Sequence, residues 1–106
     1  MLGIIGAMDE EVAMIKAQLT DVQVESRAAM DFYKGKLEGK EVVVVRSGIG
    51  KVNAAMCTQI LADIYGVTGV VNTGIAGSLK AEIDIGDIVL SSDALQHDMD
   101  ATGFGY

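Results

Sequence analysis

Three consecutive acids follow the first apolar run of the sequence, at a place where side chains could do chemistry. The run breaks at Gly6, and Asp9, Glu10 and Glu11 precede a new apolar periodicity of helical type. The pattern predicts a buried strand that leads into the N-terminus of a helix. Ligands bind at such strand ends in open α/β sheets. Acids in a first helical turn also complement the helix dipole without any further role, so both interpretations stay open for each acid.

Glycine-containing turns follow three of the predicted strands, at residues 6–8, 48–50 and 74–77. If these strands are parallel neighbours, the turns lie side by side on one edge of the sheet, where backbone N–H groups could line a pocket. Two phosphate-binding motifs are excluded there. A P-loop would need glycine at Val45 and a hydroxyl residue at Val52, and a dinucleotide-binding fingerprint would need glycine at Asn53.

Other candidate chemistry is weaker. His97, Asp98 and Asp100 form a poor metal-ligand set because the sequence has no second histidine, so we predict hydrogen bonding within a loop and no metal site. Cys57 lies among small residues of a predicted helix and is interpreted as a core residue. Ser47 lacks the Gly-x-Ser-x-Gly pattern of a nucleophile elbow.

The apolar patterns predict the elements that would position these turns. Val42 to Val45 form an unbroken apolar run, which is typical of a central strand covered on both faces. Residues 20–26 are polar and are interpreted as a connection or the start of a strand. The other predicted elements are strands at 2–6, 69–73 and 88–90, helices at about 9–19 and 51–65, and a hairpin with arms 32–38 and 41–46 that turns at Gly39. This order predicts an α/β sheet with helices packed on its faces.

Composition excludes several classes of function. Fifteen acids against eight bases give a net charge of -7, which disfavours nucleic acid and anionic membranes as partners. A single cysteine excludes a disulfide framework and fits a reducing cytoplasm. No segment is long enough to span a bilayer. The sequence closes on a polar segment without a helix or strand to cover the sheet, so we expect residues 1–106 to be the front half of one longer domain.

Five motifs together resemble one family over the whole sequence, in order and with matching spacing. The family is that of the bacterial 5'-methylthioadenosine/S-adenosylhomocysteine nucleosidases, within the purine nucleoside phosphorylase-like fold. The motifs are Gly3-Ile4-Ile5-Gly6-Ala7-Met8-x-x-Glu11, Ser47-Gly48-Ile49-Gly50-Lys51-Val52, Asn72-Thr73-Gly74-x-Ala76-Gly77, Gly86-Asp87-Ile88-Val89 and His97-Asp98-x-Asp100-x-Thr102-x-Phe104-Gly105-Tyr106. The resemblance implies a mixed central sheet flanked by helices, of which this sequence would supply the front half.

The resemblance also implies an activity, the hydrolysis of the N-glycosidic bond between adenine and a 5'-thio-substituted ribose. Glu11 is similar to the family's catalytic glutamate, which activates the attacking water as an oxocarbenium-like transition state forms. A carboxylate suits both tasks, because it stabilises developing positive charge and accepts a proton. No cofactor is implied. The resemblance places the enzyme in methionine salvage and in the cytoplasm.

Further site residues follow from the resemblance alone. Met8 corresponds to a residue beside the ribose and thio group, and Ile49 to one in the 5'-alkylthio pocket. A turn beside the sugar and base corresponds to Ile75, Ala76 and Gly77. A segment that in this family reaches across a homodimer to close the neighbour's thioalkyl pocket corresponds to Ala101 and Phe104.

The sequence departs from the family in two respects. Ile75 stands where the family commonly has serine, which removes a hydroxyl near the catalytic centre. The family's purine-protonating aspartate, adenine-stacking aromatic and ribose-binding Met-Glu pair all lie beyond position 106. Without that aspartate the leaving adenine has no general acid, so we expect this polypeptide alone to be inactive.

Two alternatives to the nucleosidase stay open. A nucleoside phosphorylase of the same fold would need a basic phosphate site, and the glycine turns contain no arginine, although Arg46 precedes one of them. A non-catalytic lobe would expose sheet edges and an apolar face, and should therefore associate or aggregate.

Overall fold

The fold is built on one five-stranded mixed sheet. The computed structural model describes residues 1–105, and its sheet has the strand order β2-β3-β4-β1-β5. The predicted α/β fold with helices beside a mixed sheet is confirmed. In chain order the elements are β1 (Leu2–Gly6), α1 (Asp9–Ala17), β2 (Thr20–Arg27), β3 (Met30–Leu37), β4 (Lys40–Arg46), α2 (Lys51–Asp63), β5 (Gly69–Asn72) and the short 3-10 helix η1 (Thr102–Phe104).

The chain divides into two compact units, Met1–Ala76 and Gly77–Tyr106. The first unit contains the whole sheet and both α-helices. Its centre is β1, which pairs in parallel with β4 on one side and with β5 on the other. Because the strands run in the same direction, all three end on one edge of the sheet.

Strand β4 is covered on both faces, as its four valines predict. Val42 and Val44 pack with Ile4 and Val12 on the α1 side of the sheet. On the opposite side, Val43 and Val45 belong to a cluster of buried residues that also includes Ile5, Met30, Phe32, Cys57 and Leu61. The alternation of side chains along β4 therefore joins two apolar layers through one strand.

The hairpin between β3 and β4 turns at Glu38 and Gly39, in agreement with the sequence. Both residues have positive φ, +50° at Glu38 and +81° at Gly39. Positive φ at both central residues gives the turn the twist that two-residue hairpins favour. Glycine adopts this conformation without a steric penalty, which explains its place in the turn.

Residues 20–26, left open by the sequence, form most of strand β2, which is antiparallel to β3. The side chains of β2 are exposed except at Arg27, which is half-buried. Only Val22 and Val24 alternate with polar residues in this strand, and both are exposed, so the alternation marks no buried face. Cys57 is buried in α2 as predicted, and desolvation raises the pKa of its thiol to about 11.

The strand predicted at 88–90 is wrong. Ile88 and Leu90 are exposed, and this segment pairs with no strand among residues 1–105. An apolar run becomes a strand only where a neighbour accepts its backbone hydrogen bonds, and the second unit supplies none.

Asp100 accepts hydrogen bonds from the backbone N–H and hydroxyl of Thr102, which lower the pKa of its carboxyl group. Within the described residues, no helix is long and apolar enough to cross a membrane.

Val44 and Val71 provide a matched pair for testing the core of the first unit. They flank Ile4 from opposite sides in the sheet, but Val44 is fully buried whereas Val71 is 46% exposed. We expect Val44→Ala to lower the free energy of unfolding of the 106-residue chain by about 2 kcal/mol, because it leaves a cavity. Val71→Ala should cost less than about 1 kcal/mol. Urea denaturation would measure both, and equal losses would contradict the assigned burial.

Candidate functional site

Three strand ends meet on the edge of the sheet where the glycine turns lie. Beyond β4, the backbone N–H of Ser47 donates to the carbonyl of Gly6 at 2.9 Å. Beyond β5, the N–H of Thr73 donates to the carbonyl of Ile5 at 2.8 Å. The parallel pairing thus continues past the strands and holds the three turns side by side, as the sequence predicts.

Glu11 lies between the turn after β1 and the turn after β5. Its Oε2 accepts hydrogen bonds from the backbone N–H groups of Ala7 at 2.7 Å and Met8 at 3.3 Å. These groups belong to the turn between β1 and α1, so the carboxylate caps the beginning of its own helix. The side chain is half-buried, and it is fixed by the backbone of the turn that precedes it.

Two glycines make room for this carboxylate. A Cβ atom at Gly74 would lie 3.0 Å from Cδ and from both carboxylate oxygens of Glu11, and Gly74 has φ +154°. A Cβ atom at Gly6 would lie 2.9 Å from the Cβ of Glu11 and 2.7 Å from Cγ1 of Val12. Glycine at these two positions therefore leaves room for the side chain of Glu11 and, at Gly6, also for that of Val12.

An open pocket of about 540 Å³ lies beside this arrangement. Met8 and Ile49, two of the residues that the resemblance assigns to the substrate, both line it. Glu11 is not part of the lining. Ala7 and Met8 are part of it, and Glu11 accepts hydrogen bonds from the backbone N–H groups of both. The remaining lining residues are Asp9, Glu10, Arg46, Gly48 and Asn53.

Asn53 fixes the turn that carries Ile49. Its Nδ2 donates to the carbonyl of Ile49 at 2.8 Å, and a Cβ atom at Gly48 would lie 3.1 Å from the same nitrogen. An amide side chain thus packs where a dinucleotide-binding motif would place glycine. The side chain of Ile49, held on this turn, is 75% exposed at the pocket.

Arg46 is a pocket residue that the sequence did not assign to the site. Its Nη1 lies 3.4 Å from Oδ2 of Asp9, and both side chains are solvent-exposed. The signal that could have identified it is the strand register, since Arg46 ends β4 directly beside Gly6 at the end of β1. A side chain at this position reaches the first turn of α1, where Asp9 lies.

The remaining predicted site residues lie outside this pocket. Ile75 is 95% exposed, and Ala76 beside it is exposed too. Gly77, Ala101 and Phe104 belong to the second unit, where Phe104 ends η1 and is 87% exposed. Among residues 1–105, no three His, Cys, Asp or Glu side chains are grouped to hold a metal ion.

Comparison with known proteins establishes the family. The family model for the Phosphorylase superfamily matches residues 1–106, the entire sequence. The chain belongs to this superfamily. The 5'-methylthioadenosine/S-adenosylhomocysteine nucleosidase of Marinomonas sp. (strain MWYL1) is 51% identical over 106 residues, which are 100% of this chain and 46% of that protein.

Solved structures of superfamily members agree. The nucleosidase of Colwellia psychrerythraea, in complex with adenine, has a TM-score of 0.89 and 52% identity, over 99% of this chain and 43% of that one. The nucleosidase of Neisseria meningitidis, in complex with methylthio-immucillin-A, has a TM-score of 0.88 and 38% identity, over 99% and 46%. The resemblance to these nucleosidases is confirmed. The chain spans about half the length of the relatives it matches.

The contact between Gly74 and Glu11 can be tested without any assumption about function. We expect Gly74→Ala to displace the carboxylate, because the new methyl group would lie 3.0 Å from three of its atoms. The amides of Ala7 and Met8 should then exchange hydrogen faster, as measured by NMR, since they lose their acceptor. Gly103→Ala is the control, because a Cβ atom there meets nothing within 4 Å. Unchanged exchange in Gly74→Ala would contradict the assigned contact.

Proposed function

We propose that the protein carrying this chain hydrolyses the N-glycosidic bond of 5'-methylthioadenosine and S-adenosylhomocysteine, releasing adenine and the 5'-thioribose. The observation that carries the proposal is the position of Glu11. Its carboxylate is fixed by two backbone N–H groups of the turn after β1 and lies against Gly74 after β5, beside an open pocket. Relatives of the same superfamily that match the whole chain bear this activity in their names.

Glu11 supplies the base in the proposed reaction. Because Oε2 accepts the hydrogen bonds of the two backbone N–H groups, Oε1 is the oxygen that takes the proton of the attacking water. The water oxygen bonds to C1' of the ribose as the bond from C1' to N9 of adenine breaks. Negative charge on Glu11 stabilises the oxocarbenium character that develops at the sugar. A group outside residues 1–105 protonates the departing adenine.

The contacts with the substrate follow the resemblance, and only some of these residues line the pocket. Met8 and Ile49, which line it, contact the ribose and the 5'-alkylthio group. Ile75, Ala76 and Gly77 contact the sugar and base. Ile75 offers no hydroxyl there, so this position supplies no side-chain hydrogen bond.

A homodimer completes the thioalkyl pocket in this proposal. Ala101 and Phe104 close the corresponding pocket of a neighbouring subunit. The support for this role is the resemblance of residues 97–106 to the family's segment, in which Phe104 is an aromatic residue between glycines. The substrates place the enzyme in methionine salvage, and the lone buried thiol fits a reducing cytoplasm.

The decisive variant of the site is Glu11→Gln in the protein that carries this chain. The amide oxygen of glutamine can still accept from Ala7 and Met8, so the fold is kept, but the side chain no longer accepts a proton from water. We expect kcat for methylthioadenosine to fall by about 100-fold or more. Adenine release would be followed by absorbance or chromatography, and circular dichroism would confirm folding.

Glu38→Gln is the matched control for this variant, because it removes the same charge from the exposed hairpin turn between β3 and β4. Its kcat should stay close to that of the parent protein. Activity that survives Glu11→Gln at the parent level would refute the assignment of Glu11 as the base.

Phosphorolysis is the second candidate function, and Arg46 in the pocket lining is the observation that favours it. Against it, Asp9 and Glu10 line the same pocket, so two carboxylates accompany the one guanidinium. Such a lining repels a phosphate dianion. We therefore expect equal rates of adenine release with and without inorganic phosphate. A requirement for phosphate, with a ribose 1-phosphate as product, would decide for the phosphorylase.

A further inference from the structure

We propose that Arg46, together with Asp9, is a specificity determinant that favours thio-nucleosides whose 5' substituent ends in a zwitterionic amino acid. S-adenosylhomocysteine is such a substrate, whereas methylthioadenosine ends in a methyl group. This inference rests on the proposed function and assigns a role to the two charged residues that hydrolysis itself does not use.

The pocket has an apolar part and a charged part. Met8 and Ile49 supply apolar surface, which suits a thioether and its methylene groups. Arg46 and Asp9 contribute to the same lining, with their ion pair 3.4 Å apart. An alkylthio chain that lies along Met8 and Ile49 can therefore bring its far end to a guanidinium and a carboxylate.

The ion pair is easily opened. The side chains of Arg46 and Asp9 are 54% and 66% exposed. An exposed pair at this distance contributes little to stability, because water screens it and two side chains must be ordered to hold it. Both charged groups are consequently available to a ligand at small cost.

The chemistry of the homocysteine end matches the two groups. Its α-carboxylate can accept two parallel hydrogen bonds from the planar guanidinium of Arg46. Its α-ammonium group can form an ion pair with the carboxylate of Asp9. One exposed ion pair in the free protein is replaced by two pairs with the ligand, and the net charge of the pocket is unchanged. A methylthio group gains neither contact.

The test compares substrates in the protein that carries this chain. We expect Arg46→Gln to lower the ratio of kcat/KM for S-adenosylhomocysteine to kcat/KM for methylthioadenosine by about 3- to 10-fold. The change should appear in KM, because the tail is held equally in the ground state and the transition state. Arg46→Lys keeps the charge but loses the two parallel donors, so its ratio should lie between those of the parent protein and Arg46→Gln.

Two controls separate this effect from others. Lys40→Gln removes the same charge at the opposite end of β4, where it is exposed, and should leave the ratio unchanged. A butylthio analogue of methylthioadenosine has a long tail without charges, and its kcat/KM relative to methylthioadenosine should not respond to Arg46→Gln.

The outcomes distinguish this inference from the proposed function. Suppose that the parent protein releases adenine from both substrates. The role of Arg46 is then refuted, and hydrolysis stands, if Arg46→Gln leaves the kcat/KM ratio of S-adenosylhomocysteine to methylthioadenosine unchanged. The same conclusion holds if Arg46→Gln lowers the kcat/KM ratio of the butylthio analogue to methylthioadenosine equally. If the parent protein releases adenine from neither substrate, the proposed function fails, and the inference fails with it.

Discussion

The parallel pairing of β1 with both β4 and β5 is the constraint on which the site depends. Each strand alone ends in an ordinary glycine-containing turn. Parallel direction places the three ends on one edge, and the hydrogen bonds from Ser47 to Gly6 and from Thr73 to Ile5 extend the pairing into the turns. A strand pairing of opposite direction would put one turn at the far edge of the sheet. Topology, rather than any single motif, creates the pocket.

Much of this arrangement was predictable because it follows from local patterns. The buried β1, the four valines of β4 and the turn at Gly39 each have a short-range signal. Strand β2 has only a weak signal, because Val22 and Val24 alternate with polar residues but are exposed. The run at 88–90 had a strand signal without a partner, and its failure shows that an apolar segment is only half of a strand pair.

The site was predictable to a similar extent and for related reasons. Met8 and Ile49 lie in turns that the sequence marks with glycine, and Glu11 lies in the first turn of the helix that follows one of them. Arg46 lies in no such turn, because it is the last residue of β4. Its contact with Asp9 depends on the register between β1 and β4. Register is a long-range property that strand periodicity does not encode. A single sequence therefore does not predict which side chains from the ends of neighbouring strands contribute to such a site.

The three acids of the first turn of α1 show how one helix can serve two purposes. Successive residues of a helix are rotated by about 100°, so Asp9 and Glu11 differ in direction by about 200°. Because α1 follows β1, the middle strand of the three, this rotation turns Asp9 toward Arg46 at the end of β4 and Glu11 toward Gly74 after β5. The helix dipole favours carboxylates at both positions but does not distinguish them. The neighbouring strands do. Asp9 pairs with the exposed guanidinium of Arg46, whereas Glu11 accepts hydrogen bonds from two backbone N–H groups and lies against Gly74. A carboxylate in a fixed position is what the proposed role of Glu11 as a base requires.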